Sequence, residues 1–144
     1  MQHLQSCAAG LALLFCSAAA AAECVKPLSP CPDSPNCVAT NDPLPDRRFP
    51  PLALKAGPDN WSNVMAAVQA FDRVEIIEEQ AGYVHATITS MVFRFVDDLE
   101  VTLCEEGKQL AVRSSSRTGR WDLGVNLRRV ETLVDRLRAY NMVR

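Results

Sequence analysis

The sequence predicts an α+β domain: an antiparallel sheet of about four strands packed against two helices, with a Pro-rich N-terminal arm. Three observations predict it. Two segments, one before and one after the middle of the chain, carry apolar residues at spacings of three and four, the period of a helix with one buried face. Between them, stretches alternating with a period of two are joined by short polar turns, which suits hairpins. All nine prolines fall within residues 23–58, so none interrupts a later helix or strand.

The chain has 144 residues, 48% of them apolar, which suits one core and one domain, and no internal repeat is present. Residues 1–22 read as a signal peptide. An apolar run from Cys7 to Ala22, broken only by Gly10 and Ser17, closes on Ala20, Ala21 and Ala22, an A-x-A cleavage site before Glu23. The run is shorter than the roughly 20 residues a membrane span needs. Its first residues, MQHLQS, contain His3 but no Lys or Arg, a departure from the usual basic start, and a retained N-terminal anchor is the alternative. The expected division is therefore a signal peptide at 1–22, a Pro/Cys-rich arm at 23–58 and an α+β domain at 59–144. The mature protein is expected to be exported, to a bacterial periplasm or the extracellular space, with no stable membrane span after cleavage. The net charge of −2 hides an asymmetry: residues 23–106 hold 14 Asp/Glu against 6 Lys/Arg, and residues 107–144 hold 3 against 9. Overall negative charge, export and the lack of an aromatic-basic interleave argue against nucleic acid as a partner.

In the arm, Phe49, Leu52 and Leu54 argue that it wraps on the domain. After cleavage the cysteines are Cys24, Cys31, Cys37 and Cys104, an even number in an oxidising compartment. The Pro-rich turn in CPDSPNC favours a local Cys31–Cys37 bridge, which leaves Cys24 for Cys104. No His lies near this cluster, so no zinc site is expected. From Asp59 or Asn60, either of which can cap, Trp61, Val64, Met65, Val68 and Phe71 form the stripe of a helix near 60–71. Strands follow at about 74–80 and 83–90, joined by Ala81 and Gly82; His85 in the second has no evident partner. Residues 92–104 form the longest strand candidate, with Phe93, Phe95, Leu99, Val101 and Leu103 on one face and Asp97 in the same register. Either Asp97 points inward, where it requires a cationic or hydrogen-bonding partner, or a bulge at Asp97 and Asp98 shifts the register. Either Asp97 or Asp98 is expected to meet Arg113, Arg117 or Arg128, and binding of a hard cation by Asp97, Asp98 and Glu100 is the less favoured use of these carboxylates. After the turn EEGK comes a strand at 109–114. The last helix, near 126–139, is expected to be capped by Asn126 and to bury Leu127, Val130, Leu133, Val134 and Leu137.

The segment LAVRSSSRTGRWDLGVNLRRVE at 110–131 holds Arg113, Arg117, Arg120, Arg128 and Arg129 among serines and glycines, more cations than a loop needs. Arg128 and Arg129 oppose the helix dipole in a first turn, which points to an anion or carboxylate brought there by the fold. With SPNCV at 34–38 and FRFVDDLEV at 93–101, this segment resembles the family catalogued as domain of unknown function 1499, found in bacteria and plant plastids. The resemblance spans roughly Pro30 to Arg138. The family pattern is matched at Arg113, Ser114, Ser116, Arg117, Gly119, Asp122, Leu123, Gly124, Val125 and Asn126; Trp121 stands where serine is commoner and Leu127 where arginine is. The resemblance implies a domain and no reaction.

The expected function is binding of an anionic small molecule, lipid headgroup or envelope protein through Arg113, Ser114, Ser116, Arg117, Asp122, Asn126, Arg128 and Arg129. The alternative is a structural domain in which these arginines, with Asp97 and Asp98, form a buried ionic network. A hydrolase using Asp97 or Asp98 as base is the weakest reading, since no nucleophile elbow, Ser-His-Asp ordering or metal motif occurs. No cofactor is expected.

Overall fold

The computed structural model describes residues 23–55 and 61–144; the expected signal peptide and the candidate cap residues Asp59 and Asn60 lie outside them. In chain order the elements are β1 (Cys37–Ala39), β2 (Leu52–Ala53), α1 (Trp61–Gln69), β3 (Val74–Gln80), β4 (Tyr83–Thr89), β5 (Val96–Cys104), β6 (Gln109–Ser116) and α2 (Val125–Ala139). The fold is α+β, but the antiparallel sheet has six strands, not about four. The order is β1-β6-β5-β4-β3, and β2 also pairs with β6. The two extra strands come from the arm, whose short proline-free stretches Cys37–Ala39 and Leu52–Ala53 pair with the outer edge of β6 at Arg113–Ser115 and at Gln109–Leu110. That edge would otherwise stand open.

Both helices pack on one face of the sheet. Val64, Met65 and Val68 of α1 and Val130, Leu133, Val134 and Leu137 of α2 meet Val84, Ala86, Leu99, Val101, Leu110 and Val112 in one core. Among the described residues no helix covers the other face. Residues 24–28 of the arm cross one end of it, where Leu28 packs on Cys104 and Ala111, and Cys24 is disulfide-bonded to Cys104. A second disulfide joins Cys31 to Cys37.

Three local expectations need correction. The long strand begins at Val96, because residues 91–93 turn and Arg94 sits at φ 57°; Phe93 and Phe95 therefore leave the core face and are 73% and 53% exposed. Helix α2 is preceded by Gly124 in the left-handed conformation (φ 76°), so Asn126 is not its cap but lies inside its first turn, fully buried. Leu127 points outward, since the buried stripe starts at Val130.

Candidate functional site

Period-two alternation divides the arginine-serine segment between the two faces of the sheet. On β6, Ser114 and Ser116 share the helix-side face with Leu110 and Val112, whereas Arg113 and Ser115 share the open face with Ala111. On β5, Asp97 lies with Leu99 on the helix side, and Asp98 and Glu100 lie on the open side. The acidic trio cannot hold one cation, because the backbone of β5 separates Asp97 from the other two.

On the helix side the result is a buried polar network. Arg129 donates from Nη2 to Asp97 Oδ2 at 2.6 Å, and from Nη1 to Ser114 Oγ at 2.9 Å and Asn126 Oδ1 at 2.7 Å. Ser114 Oγ donates to Asn126 Oδ1 at 2.6 Å, and Asn126 Nδ2 donates to Asn36 O, Ser116 Oγ and Asp122 Oδ2, each at 2.9 Å. The Asp122 carboxylate also accepts from the backbone N–H of Gly124 and of Asn126 at 2.9 Å, which makes Asp122 the cap that the sequence reading gave to Asn126. Burial alone would raise the pKa of Asp122, but these backbone and side-chain donors outweigh it and hold the carboxyl below its ordinary value. The partner of Asp97 is thus Arg129, and the expected contact with Arg113, Arg117 or Arg128 is made by its neighbour Asp98, which pairs with Arg117 on the open side. Of the eight expected binding residues, Ser114, Ser116, Asp122, Asn126 and Arg129 are engaged in this network, tying the 117–124 loop and α2 to the sheet. Arg128 lies apart, exposed, with Nη1 on Leu123 O at 2.9 Å.

On the open side is a cleft of about 360 Å³, lined by Lys26, Pro27, Ser29, Glu78, Tyr83, His85, Asp98, Glu100, Arg113 and Arg117. The register brings these groups together. Tyr83, His85, Asp98, Glu100 and Arg113 lie on three adjacent strands, with His85 opposite Glu100 and Glu100 opposite Arg113. Glu100 accepts from Arg113 Nη1 at 2.9 Å, Tyr83 Oη at 3.0 Å and Ser29 Oγ at 3.3 Å. Asp98 is gripped by Arg117 from Nε (3.0 Å) and Nη2 (2.8 Å), and its Oδ1 lies 2.7 Å from His85 Nε2. Lys26 Nζ bridges both oxygens of Glu78 at 2.6 and 2.7 Å and lies 4.5 Å from the centre of the Tyr83 ring.

The electrostatics follow from these contacts. Burial would raise the pKa of Asp98, but hydrogen bonds from Arg117 and His85 prevail and lower it; the same bond raises that of Arg117. Burial, and then the Glu100 carboxylate, push the Tyr83 phenol far above its ordinary value, so it is held as a neutral donor. Arg113 is nine-tenths buried, and its Nε has no acceptor among the described residues.

A second groove, of about 320 Å³ between the end of α1 and α2, contains Arg73, Arg128, Arg129 and Arg136. Its cations are committed to the protein. Arg136 donates to Ala67 O and Ala70 O at the end of α1 and stacks on Phe71 at 4.0 Å, and Arg73 donates to Thr89 O. A larger cavity of about 730 Å³ beside the Cys24–Cys104 bridge is lined mostly by neutral groups, including Pro27, Leu28, Pro51 and Ala111, with no convergent charged set.

Sequence reasoning missed Lys26, Ser29 and Tyr83, the pairing of Glu100 with Arg113, and His85 as a partner of Asp98. A signal for three of them was present: with the EEGK turn fixed, counting back along both strands sets Glu100 opposite Arg113, and the alternation Tyr83, His85 keeps both on the side of Glu100. Lys26 and Ser29 had none, because only the folded arm brings them there.

Among the described residues no helix is long and apolar enough to cross a membrane. A family model described as "Protein of unknown function (DUF1499)" matches residues 27–137. The comparison with curated proteins gives no match.

Proposed function

Because the chain belongs to the DUF1499 family, which has no assigned reaction, we propose a function from the cleft itself: an exported, non-catalytic domain that binds the carboxylate or phosphate of a small ligand over Arg113, with Lys26 and Arg117 at the rim. The observation that carries this is Arg113, whose buried guanidinium makes one hydrogen bond, to Glu100, and whose Nε has no acceptor among the described residues. Buried donors in that condition favour an incoming acceptor. Lys26 is adapted to exchange: it is 38% exposed and its partner Glu78 45%, and an exposed pair of this kind holds by under about 1 kcal/mol, so a ligand anion competes for Lys26 at little cost. Arg117 keeps its bidentate grip on the more buried Asp98 and presents the rest of a half-exposed guanidinium to the rim. Export is supported by the two disulfides, which persist in oxidising compartments.

Binding is favoured over hydrolysis by the state of the two candidate bases. Asp97 is sealed on the helix side by Arg129, and Asp98, with its lowered pKa and bidentate arginine, is a poor proton acceptor. The ionic-network reading covers the helix-side set and also the Arg113–Glu100, Arg117–Asp98 and Lys26–Glu78 pairs of the cleft, but it does not supply an acceptor for Arg113 Nε among the described residues.

The test is thermal-shift and calorimetric titration of the full chain with inorganic phosphate, glycerol phosphate and succinate. A ligand at a hundred times its Kd adds about 2.7 kcal/mol of stability. The expected result is a saturable shift with at least one of these anions that is lost in Lys26→Ala/Arg117→Ala, whose side chains are exposed. Absence of any saturable shift, or a shift indifferent to that double substitution, counts against the cleft.

A further inference from the structure

One end of the molecule presents apolar side chains to water that the proposed cleft does not use. Antiparallel pairing sends the β4–β5 connection (90–95) and the segment after β6 (117–124) out of the sheet at the same end, where Arg117 N donates to Val96 O at 3.0 Å. The first loop exposes Met91, Val92, Phe93 and Phe95, with the two phenyl rings stacked at 5.6 Å; the second exposes Trp121 at 74% and Leu123 at 88%. A non-glycine residue in the left-handed region stands in each loop, Arg94 at φ 57° and Leu123 at φ 52°. L-residues resist that conformation, so the fold spends strain in the two loops that carry these side chains outward.

Within the two loops the charge is mainly positive; outside them, Asp46 and Arg47 line a groove beside Trp121 and Leu123. Arg94, Arg117, Arg120 and Arg128 are exposed in or beside the two loops. Residues 90–95 contain no carboxylate, and the only one in 117–128, Asp122, is occupied by Gly124 and Asn126. Projecting aromatic and aliphatic tips within a collar of arginines match the two layers of an anionic bilayer, apolar below and phosphate above. A recess with a charge of each sign, Asp46 and Arg47, lies beside Trp121 and Leu123, but the stacked Phe93 and Phe95 and the four exposed arginines lie outside it, and a bilayer engages both loops at once. We infer that this end of the domain docks on an anionic lipid surface, with Phe93, Phe95, Trp121 and Leu123 entering the headgroup boundary and the arginines pairing with lipid phosphates. The docking uses the loop ends and is independent of the cleft, with which it shares only Arg117.

The chain has two tryptophans, so Trp61→Phe leaves Trp121 as a local reporter. Trp61 Nε1 is buried without a partner, and the substitution removes no hydrogen bond found among the described residues. In this variant of the full chain, vesicles containing phosphatidylglycerol are expected to shift Trp121 emission to the blue and to protect it from aqueous quencher. Added salt should weaken the effect, pure phosphatidylcholine should give little of it, and Arg94→Glu/Arg120→Glu should abolish it while leaving phosphate and succinate titrations of the cleft unchanged. Because the reporter sits in the loop, adsorption through another part of the chain does not imitate the signal. No Trp121 response to phosphatidylglycerol vesicles overturns the proposal. So does an equal response to neutral vesicles, a response reproduced by free glycerol phosphate, or a lipid-free blue shift that grows with protein concentration, which would assign the tips to a second copy of the chain.

Discussion

Replacing Asp97 with Ala should destabilise the domain by about 3–5 kcal/mol, the usual result of removing one partner of a buried ion pair. The estimate rests on the surroundings of Arg129. Its side chain is 8% exposed and that of Asp97 is 6%, and their closest approach is 2.6 Å. Arginine cannot shed its proton, so truncation leaves a full positive charge whose Nη2 has lost its acceptor, while Nη1 still holds Ser114 and Asn126. A urea melt reads the loss. With a slope of about 1–3 kcal/mol per molar, the midpoint should fall by about 2 M. The double variant Asp97→Leu/Arg129→Met removes both charges and should recover most of the stability, short by about 1 kcal/mol because Ser114 and Asn126 lose a donor. A single-variant loss below about 1 kcal/mol, the worth of an exposed pair, would refute the reasoning. So would singles whose losses simply add in the double, since residues in contact must couple.

Asp122→Ala should cost about 2 kcal/mol, near the upper end for a helix cap, and should raise amide exchange first at Gly124 and Asn126. Asp98 and Asp122 have lowered pKa values, so the stability they contribute is present above the ordinary carboxylate value near 4 and is lost as pH falls through their lowered values; acid melts of Asp98→Asn and Asp122→Asn should be flatter there than wild type. Tyr83 has a raised pKa, so its contribution is intact below about pH 10 and falls away above it as the unfolded phenol ionises first, a loss that Tyr83→Phe should remove from alkaline melts. Breaking the Cys24–Cys104 bridge, which closes a loop of 80 residues, should cost about 4 kcal/mol, against about 2 for Cys31–Cys37 with a separation of 6, measured on the corresponding Cys→Ala pairs.

The sequence by itself determined the elements whose signal is local. The periods of α1 and α2, the hairpin at Ala81 and Gly82, and the strand alternation of β3 to β6 are all set by which side chains must be buried, and a one-residue slip would turn Leu99 and Val101 to water. It also required either a bulge at Asp97 or a cationic or hydrogen-bonding partner for it, because an apolar strand face makes no other allowance for a carboxylate. Tertiary structure alone decided between these, and which cation. Arg129 reaches Asp97 because α2 packs across β5 and β6; the four-residue spacing of Asn126 to Val130 and of Arg129 to Leu133 turns both inward, but which strand they meet is decided by the packing of α2 on the sheet. The arm was equally beyond local reading: its strands are two and three residues long and exist only because β6 offers an edge. The division of one arginine-serine motif into a sealed network and an open cleft is likewise tertiary. Alternation separates Ser114 from Arg113, but only the placement of both helices on one face determines which of them is buried under α2 and which looks out beside Lys26.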